Sequence, residues 1–176
     1  MLIQDRLKEV LQYDPETGIF TWKKRAKEQF RKERGCNQWN TRYAGKEAGS
    51  IGDGYIQIKI DKCTYRAHRL AWLHVYGEWP RENMDHINHI RTDNRIKNLR
   101  EATHAQNGRN AKKSRNNTSG TTGVYWYKNI NKWVAGIRVD GKNKYGGLFK
   151  NKKDAISRRK KMNAEHGFHE NHGMSA

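Results

Sequence analysis

The segment Met84–Asn107, MDHINHIRTDNRIKNLREATHAQN, holds the densest group of chemically active side chains in the chain. Asp85 directly precedes His86, and Asn98 and Asn107 follow that histidine by 12 and 21 residues. Hard divalent cations prefer oxygen ligands, and the Asp85 carboxylate with the Asn107 carboxamide offers two, leaving positions for phosphate oxygens and water. A neutral His86 could then accept a proton from an attacking water. The same residue types are common in polar turns, so their chemistry alone leaves a structural role open.

Helical and strand patterns alternate on the amino-terminal side of this segment. In chain order they predict a short helix that ends by Tyr13, a turn at Asp14–Gly18, a strand at Ile19–Trp22, a hairpin of Tyr55–Ile60 with Cys63–Arg66, and a helix over Ala67–Tyr76. Residues 23 to 46 are basic and show no sustained period, so a loop or a surface that faces nucleic acid is expected there.

The segment itself divides into an irregular part and a helix. Asn83–Arg100 is polar and without a period, whereas Thr103 and Gln106 have the spacing of a capping box, which predicts a helix that runs to about Ala111.

Met84–Asn107 also resembles the ββα-metal (His-Me finger) core of HNH endonucleases, most closely the phage and intron-borne homing type, whose third motif residue is Asn. Tyr65–Trp72 (YRAHRLAW) and Tyr13–Gly18 (YDPETG) match that type as well, and together the matches cover most of residues 5 to 112.

The resemblance implies a role for each motif residue. Asp85 and Asn107 would bind one Mg²⁺ or Mn²⁺ ion, and His86 would be the general base. Asn98 would hold the histidine-bearing loop through hydrogen bonds to its backbone. His89 and His104 lie off the motif positions, and both are expected to be exposed to solvent.

Structural zinc is not expected in this chain. Many HNH proteins hold such an ion with two CxxC pairs, whereas here Cys36 and Cys63 lie 27 residues apart and no CxxC occurs. The core of the nuclease region must therefore be held together by packing.

The sequence beyond residue 112 predicts a second domain. Lys112–Gly120 (KKSRNNTSG) has the composition of a flexible basic linker. Three antiparallel strands and one helix should follow, with strands at Gly123–Tyr127, Lys132–Val139 and Lys144–Phe149 and a helix that begins near Asn151. The last ten residues are expected to fray.

Strand alternation assigns two faces to the predicted sheet. The face expected to pack on the helix carries Val124, Trp126, Trp133, Ala135 and Ile137. The opposite face would present aromatic and cationic side chains to DNA, namely Tyr125, Tyr127 and Arg138, with Lys142 and Lys144 near its edge and Tyr145 if the register holds.

Residues 118 to 166 resemble the AP2 DNA-binding domain, in Gly123-Val124, in Lys132–Arg138 (KWVAGIR) and in Gly147-Leu148-Phe149. The resemblance implies that Arg138 contacts DNA, together with Lys144 and Tyr145. Tyr125 and Tyr127 stand where the family usually presents arginines, so its base preference does not transfer to this chain.

Charge identifies the class of partner. The chain has 36 Lys or Arg against 18 Asp or Glu, a net charge of +18, and residues 108 to 176 alone carry +12. Such an excess favours a nucleic acid, because each neutralised phosphate releases counterions. A membrane surface is disfavoured, since the basic residues alternate with Tyr, Trp and Gly at strand spacing. No apolar run or secretory leader is visible, so a cytoplasmic protein without a membrane partner is expected.

These observations predict an α+β protein with a nuclease region at 1–112 (HNH core about 66–112), a linker at 113–119, an AP2-like domain at 120–167 and a tail at 168–176. The predicted activity is metal-dependent hydrolysis of double-stranded DNA, and one site per chain favours a monomer that nicks. A DNA-binding protein that keeps the HNH fold only as a scaffold is the alternative, and RNA binding is a weaker one.

Overall fold

The computed structural model describes residues 1–174, and its contacts divide the chain into two compact units, Met1–Glu101 and Ala102–Ala176. This division lies earlier in the chain than the predicted boundary after residue 112. The residues just beyond 101 belong to the second unit because they bond within it. The Arg109 carbonyl, for example, accepts a hydrogen bond from the His169 amide at 3.3 Å.

The first unit contains three helices and seven strands, and its last strand crosses the division between the units. Their bounds are α1 Gln4–Val10, β1 Leu11–Tyr13, β2 Phe20–Trp22, α2 Glu33–Tyr43, β3 Ser50–Gly52, β4 Tyr55–Ile60, β5 Cys63–Arg66, α3 Ala67–Tyr76, β6 Asn83–His86 and β7 Leu99–Ala102. The strands form three small sheets, the antiparallel pair β1–β2, the antiparallel sheet β3-β4-β5 and the pair β6–β7.

One hydrophobic core joins these sheets to α1 and α3. Leu7 of α1, Ile58 and Ile60 of β4 and Leu70 of α3 are all at most 1% exposed. Alternation along β4 and helical spacing along α3 place these residues on inward faces. The predicted hairpin and the predicted Ala67–Tyr76 helix are both confirmed.

The loop predicted over residues 23 to 46 is wrong, because this stretch contains α2 and a short 3-10 helix at Lys27–Gln29. Helix α2 has few apolar residues, and it is held by the Trp39 ring, which packs against Trp22 and Phe30, and by the buried Cys36. The Arg25 guanidinium lies 4.2 Å from the centre of the Trp39 ring. Cys36, Trp39 and Tyr43 recur at i, i+3 and i+7, but three apolar residues among the eleven of α2 make a weak helical pattern among so many polar residues.

Asn83–Arg100, expected to be irregular, contains β6, a 3-10 helix at Ile96–Asn98 and the start of β7. Strands of four residues are too short to show an alternation of period two. Asp85 and His86 lie on β6, Asn98 ends the 3-10 helix before β7, and Asn107 lies on the helix His104–Arg109.

The second unit begins with α4, His104–Arg109, and continues with β8 Val124–Tyr127, β9 Lys132–Val139, β10 Lys142–Phe149 and α5 Lys152–Glu165. The three strands form an antiparallel sheet in the order β8-β9-β10. Strand β10 begins two residues earlier than predicted, because Asp140 and Gly141 alone form the turn, both with positive φ.

Helix α5 covers one face of this sheet. Val124 and Ala135 pack on Ala155, and Ile137 packs with Met162. The helix-facing residues were therefore predicted correctly, except that Trp126 remains 41% exposed.

The carboxyl-terminal tail does not fray over the part that the structure describes. The Gly173 amide donates to the Ala111 carbonyl at 2.8 Å, and the Phe168 and His172 rings stack edge to face. The prediction fails for residues 168–174, because the tail bonds with the segment that follows α4. Its last two positions, 175 and 176, lie outside the described residues. Within 1–174, no helix has the length and apolarity required to cross a membrane.

Candidate active site

The loop between β6 and β7 is organised around the Asn98 side chain, which is 6% exposed. Its Oδ1 accepts a hydrogen bond from the Asn88 amide at 3.0 Å, and its Nδ2 donates to the Asp93 carbonyl at 2.8 Å. The Asn98 carbonyl also accepts from the Ile87 amide at 2.9 Å. One residue therefore ties both ends of the loop that follows His86, through bonds to backbone.

The turn Asp14–Gly18 packs against the far side of the same loop. The Tyr13 hydroxyl donates to the Asn94 carbonyl at 2.7 Å, and the Ile96 amide donates to the Pro15 carbonyl at 3.2 Å. Gly18 has φ +76°, and a Cβ there would lie 2.5 Å from the Asn94 carbonyl carbon. The YDPETG turn is thus a support for the loop that carries Asn94.

Replacing Gly18 with alanine should destabilise the first unit by about 2–4 kcal/mol, because it adds a Cβ at positive φ and pushes it into backbone. Gly45→Ala is the matched control, since Gly45 has φ +78° but a Cβ added there would meet no atom within 4 Å. Urea unfolding of both variants measures the difference. Equal losses of stability would show that the close approach of Gly18 to the Asn94–Arg95 backbone does not contribute to the effect.

His86 lies at the end of β6 in a buried setting, with 6% of its surface exposed. Its Nε2 is 3.3 Å from Oδ1 of Asn94, whose Nδ2 donates to the Thr92 carbonyl. Since that oxygen can only accept, the bond requires the imidazole proton on Nε2 and assigns the basic lone pair to Nδ1. Burial lowers the pKa of His86, with Asn94 opposing the shift, so the ring is neutral near pH 7.

A second histidine, His68 of α3, packs edge to face against His86 with ring centres 5.0 Å apart. It is 4% exposed, and its Nδ1 finds no hydrogen-bond partner among residues 1–174. Burial lowers the pKa of His68 to about 3. Tyr55 of β4 completes the cluster, 5.3 Å from His68 and 6.0 Å from His86 between ring centres. The two histidines and Tyr55 therefore form one cluster of rings contributed by α3, β6 and β4.

Asp85, the residue before His86, is 7% exposed and forms an ion pair with Arg100 of β7. Its Oδ2 accepts from Nε of Arg100 at 3.0 Å and from Nη2 at 2.8 Å. A buried carboxylate needs such a partner, because desolvation otherwise disfavours its charge. The arginine therefore supplies the counter-charge for a carboxylate held in a buried position.

Asn107 lies on α4 in the second unit, with its side chain exposed. The predicted capping box of this helix is confirmed, since the Gln106 amide donates to Thr103 Oγ1 at 3.3 Å and the Thr103 amide donates to Gln106 Oε1 at 2.8 Å. The helix ends at Arg109, two residues earlier than predicted. Asp85 and His86 thus lie in one unit and Asn107 in the other.

The donor set fits a hard divalent ion in its chemistry, because the carboxylate of Asp85 and the carboxamide of Asn107 both offer oxygen. Among residues 1–174, no cluster of three or more His, Cys, Asp and Glu side chains could hold a metal ion.

Sequence reasoning missed Asn94, His68, Tyr55 and Arg100, and it was wrong about His89, which is 7% exposed and has φ +66°. His104 is exposed, as expected. Tyr55 and His68 reach the site from β4 and α3, whereas Asn94 and Arg100 lie inside Met84–Asn107 but off the motif positions, so the motif spacing marks none of them. The one available signal was His68, a polar residue in the apolar helix pattern of Ala67–Tyr76.

The open face of the second unit's sheet carries Tyr125, Tyr127 and Arg138, as predicted, and Tyr145 joins them by pairing with Gly136. Lys142 and Lys144 pair with Val139 and Ile137, so the register puts them on the opposite face. Both lysines nevertheless lie on β10, an edge strand of the sheet, as expected, and Lys144 lines one cleft with Arg138 and Tyr145. Gly141, which turns the chain between β9 and β10, accepts a hydrogen bond from Arg138 Nε at 3.2 Å.

Comparison with known proteins identifies one domain. Residues 65–109 match the family model for HNH endonuclease. The matched range begins in β5 and ends with α4, so it contains Asp85, His86, Asn98 and Asn107. A search of curated proteins and a search of solved structures each found no match.

The match supports an HNH nuclease, the class of hydrolase that acts on DNA and that generally uses a divalent metal ion. The mixed α and β architecture with small antiparallel sheets is consistent with such a domain.

Proposed function

We propose that this protein is a metal-dependent endonuclease that hydrolyses phosphodiester bonds in duplex DNA. The observation that carries the proposal is His86, a neutral buried histidine inside the HNH-matching range, oriented through Nε2 by Asn94. A general base for hydrolysis must be unprotonated near neutral pH and correctly aimed, and burial with one hydrogen bond meets both needs.

In the proposed reaction, Nδ1 of His86 takes a proton from a water molecule as the water oxygen attacks phosphorus. The bond from phosphorus to one sugar oxygen then breaks, that oxygen takes a proton from a solvent water as it leaves, and His86 releases its proton to solvent. Asp85 and Asn107 would hold one Mg²⁺ or Mn²⁺, which supplies charge stabilisation for the departing oxygen. Asn98 keeps the loop closed beneath Asn94, and so acts by positioning.

The second unit would place this site on DNA in the manner of an AP2-like domain. Its open face combines two tyrosines with Arg138, and α4 lies beside that face, since His104 and Arg109 line one cleft with Tyr125, Arg138 and Tyr145. The helix that carries Asn107 would thus meet the same stretch of DNA as the sheet. Asn107 at the third motif position supports an enzyme of the homing type, borne by a phage or another mobile element.

A plasmid assay tests the activity. Supercoiled plasmid incubated with the protein should become open circular in the presence of Mg²⁺ or Mn²⁺ and stay supercoiled with EDTA, because one site cuts one strand per encounter. Linear product at the earliest times would indicate a dimer. Binding without any metal-dependent product would instead identify a DNA-binding protein that keeps the HNH fold as a scaffold.

Replacing Arg138 with alanine should weaken binding to a selected duplex site by about 1–3 kcal/mol, because it removes a base contact. Lys142→Ala is the matched control, since it removes one positive charge from the opposite face of the same sheet. Fluorescence anisotropy with the selected duplex gives both affinities. If both variants lose the same affinity, Arg138 contributes only through its positive charge and makes no base contact.

A further inference from the structure

Residues 23 to 46, here called the basic lobe, hold most of the charge of the first unit. The lobe has nine Lys or Arg against Glu28 and Glu33, a net charge of +7 in 24 residues. The first 101 residues together contain 20 Lys or Arg and 14 Asp or Glu, a net charge of +6. The rest of the unit is therefore slightly negative, and its positive field comes from the lobe.

The lobe is a closed, ordered structure. Its two ends are joined by backbone, because the Trp22 amide donates to the Lys46 carbonyl at 2.9 Å and the Gly45 amide donates to the Trp22 carbonyl at 2.8 Å. Inside it, the Asn40 side chain of α2 bonds both backbone groups of Arg25, at 2.9 and 3.0 Å. These bonds hold α2 against the start of the lobe, so its charges are presented on a defined surface.

Several of these charges have no counter-charge. Lys24, Arg31, Lys32, Arg34 and Lys46 are exposed, and none forms an ion pair within residues 1–174. Lys27, by contrast, is paired with Glu33 at 3.3 Å. Like charges so concentrated repel one another, and the repulsion is relieved when a polyanion binds. The lobe is therefore complementary in charge to a polyanion.

The lobe is also connected to the nuclease site by a short element. The hairpin β1–β2 contacts the Asn94 loop at its turn, and the lobe leaves the other end of the hairpin at Trp22. Strands of three residues span roughly 10 Å. Since one turn of DNA is about 34 Å long, a duplex bound at His86 is long enough to reach the lobe as well.

We infer that the basic lobe binds the phosphate backbone of duplex DNA next to the cleaved bond, as a second DNA contact besides the sheet of the second unit. The inference rests on the proposed endonuclease function. Backbone contact carries no base readout, so the lobe sets affinity and position while the sequence preference comes from elsewhere.

The test compares two triple variants of the full chain that lose the same charge. K24Q/R31Q/R34Q removes exposed charges of the lobe, and K8Q/K62Q/R81Q removes exposed charges from other parts of the first unit. Duplex binding is measured in EDTA from 50 to 300 mM salt, and circular dichroism verifies that both variants fold. The slope of log affinity against log salt should become shallower by about 0.9 per lost contact in the lobe variant, up to about 2.7, and stay unchanged in the control.

Equal slopes for the lobe variant and the wild type would overturn the inference, even if the wild type nicks plasmid. A reduced slope would support it even if no nicking occurs, because binding in EDTA does not depend on cleavage. Vesicles of phosphatidylserine serve as the competing anionic surface. Loss of vesicle binding with an unchanged DNA slope would also overturn the inference.

Discussion

Replacing His86 with alanine should slow plasmid cleavage by about 10²- to 10⁴-fold, the usual contribution of a general base. DNA affinity should remain nearly unchanged, because the phosphate-binding charges lie on other residues. Cleavage rates at saturating protein, together with anisotropy on the same duplex, separate the two quantities.

The size of this effect follows from the surroundings of His86. Asn94 bonds Nε2, and His68 with Tyr55 encloses the ring, so the imidazole is oriented and neutral before DNA arrives. A small residue at position 86 leaves the attacking water with no nearby base. Asp85 lies beside it but is engaged by Arg100.

His166→Ala is the matched control for this prediction, since it removes a histidine at the end of α5 in the other unit. It should cleave at the wild-type rate. If His86→Ala also cleaves at that rate, His86 is not the base, and the proposed mechanism fails even if the protein is a nuclease.

The second large effect is on stability in acid. Burial lowers the pKa of His68 to about 3, whereas an unfolded histidine titrates near 6.5. Between these two pH values the imidazole is protonated in the unfolded chain and neutral in the native state. The stability from the neutral ring is complete above about pH 6.5. It should fall by about 1.4 kcal/mol per pH unit as the pH drops toward 3, a total of about 4–5 kcal/mol.

Denaturant unfolding at pH 7, 6 and 5 measures this slope. His68→Gln keeps a polar side chain but cannot titrate, so its free energy of unfolding should depend less on pH, by about 1.4 kcal/mol per unit. The pKa values of His74 and His86 are also lowered by burial, so some dependence should remain. A variant with the full wild-type slope would show that His68 is not the group responsible.

Local patterns predicted much of the fold. Helix α3 occupies the residues that its apolar spacing indicated, and Gly77 follows it in the left-handed conformation. The hairpin β4–β5, the capping box of α4 and the three strands of the second unit also follow from spacings of a few residues. Each of these elements depends on residues close together in the chain, and the periodicity of a sequence reports on such local relations.

The candidate site was predicted only in part. Asp85, His86, Asn98 and Asn107 share one motif and could be named from it, but their partners could not. Tyr13 and Asn94 are 81 residues apart, yet the tyrosine hydroxyl holds the Asn94 carbonyl. Contacts of this kind depend on how helices and strands pack, and no spacing records them.

The sequence by itself determined the chemistry that this protein has to offer, an acid, an imidazole and two amides at fixed intervals, and a charge that selects a polyanion. Tertiary structure alone decided that His86 is buried beside His68, aimed by Asn94 and neutral near pH 7. The physical reason is that a pKa and a tautomer depend on desolvation and on hydrogen-bond partners, which exist only once α3, β4 and the Asn94 loop have packed around the ring.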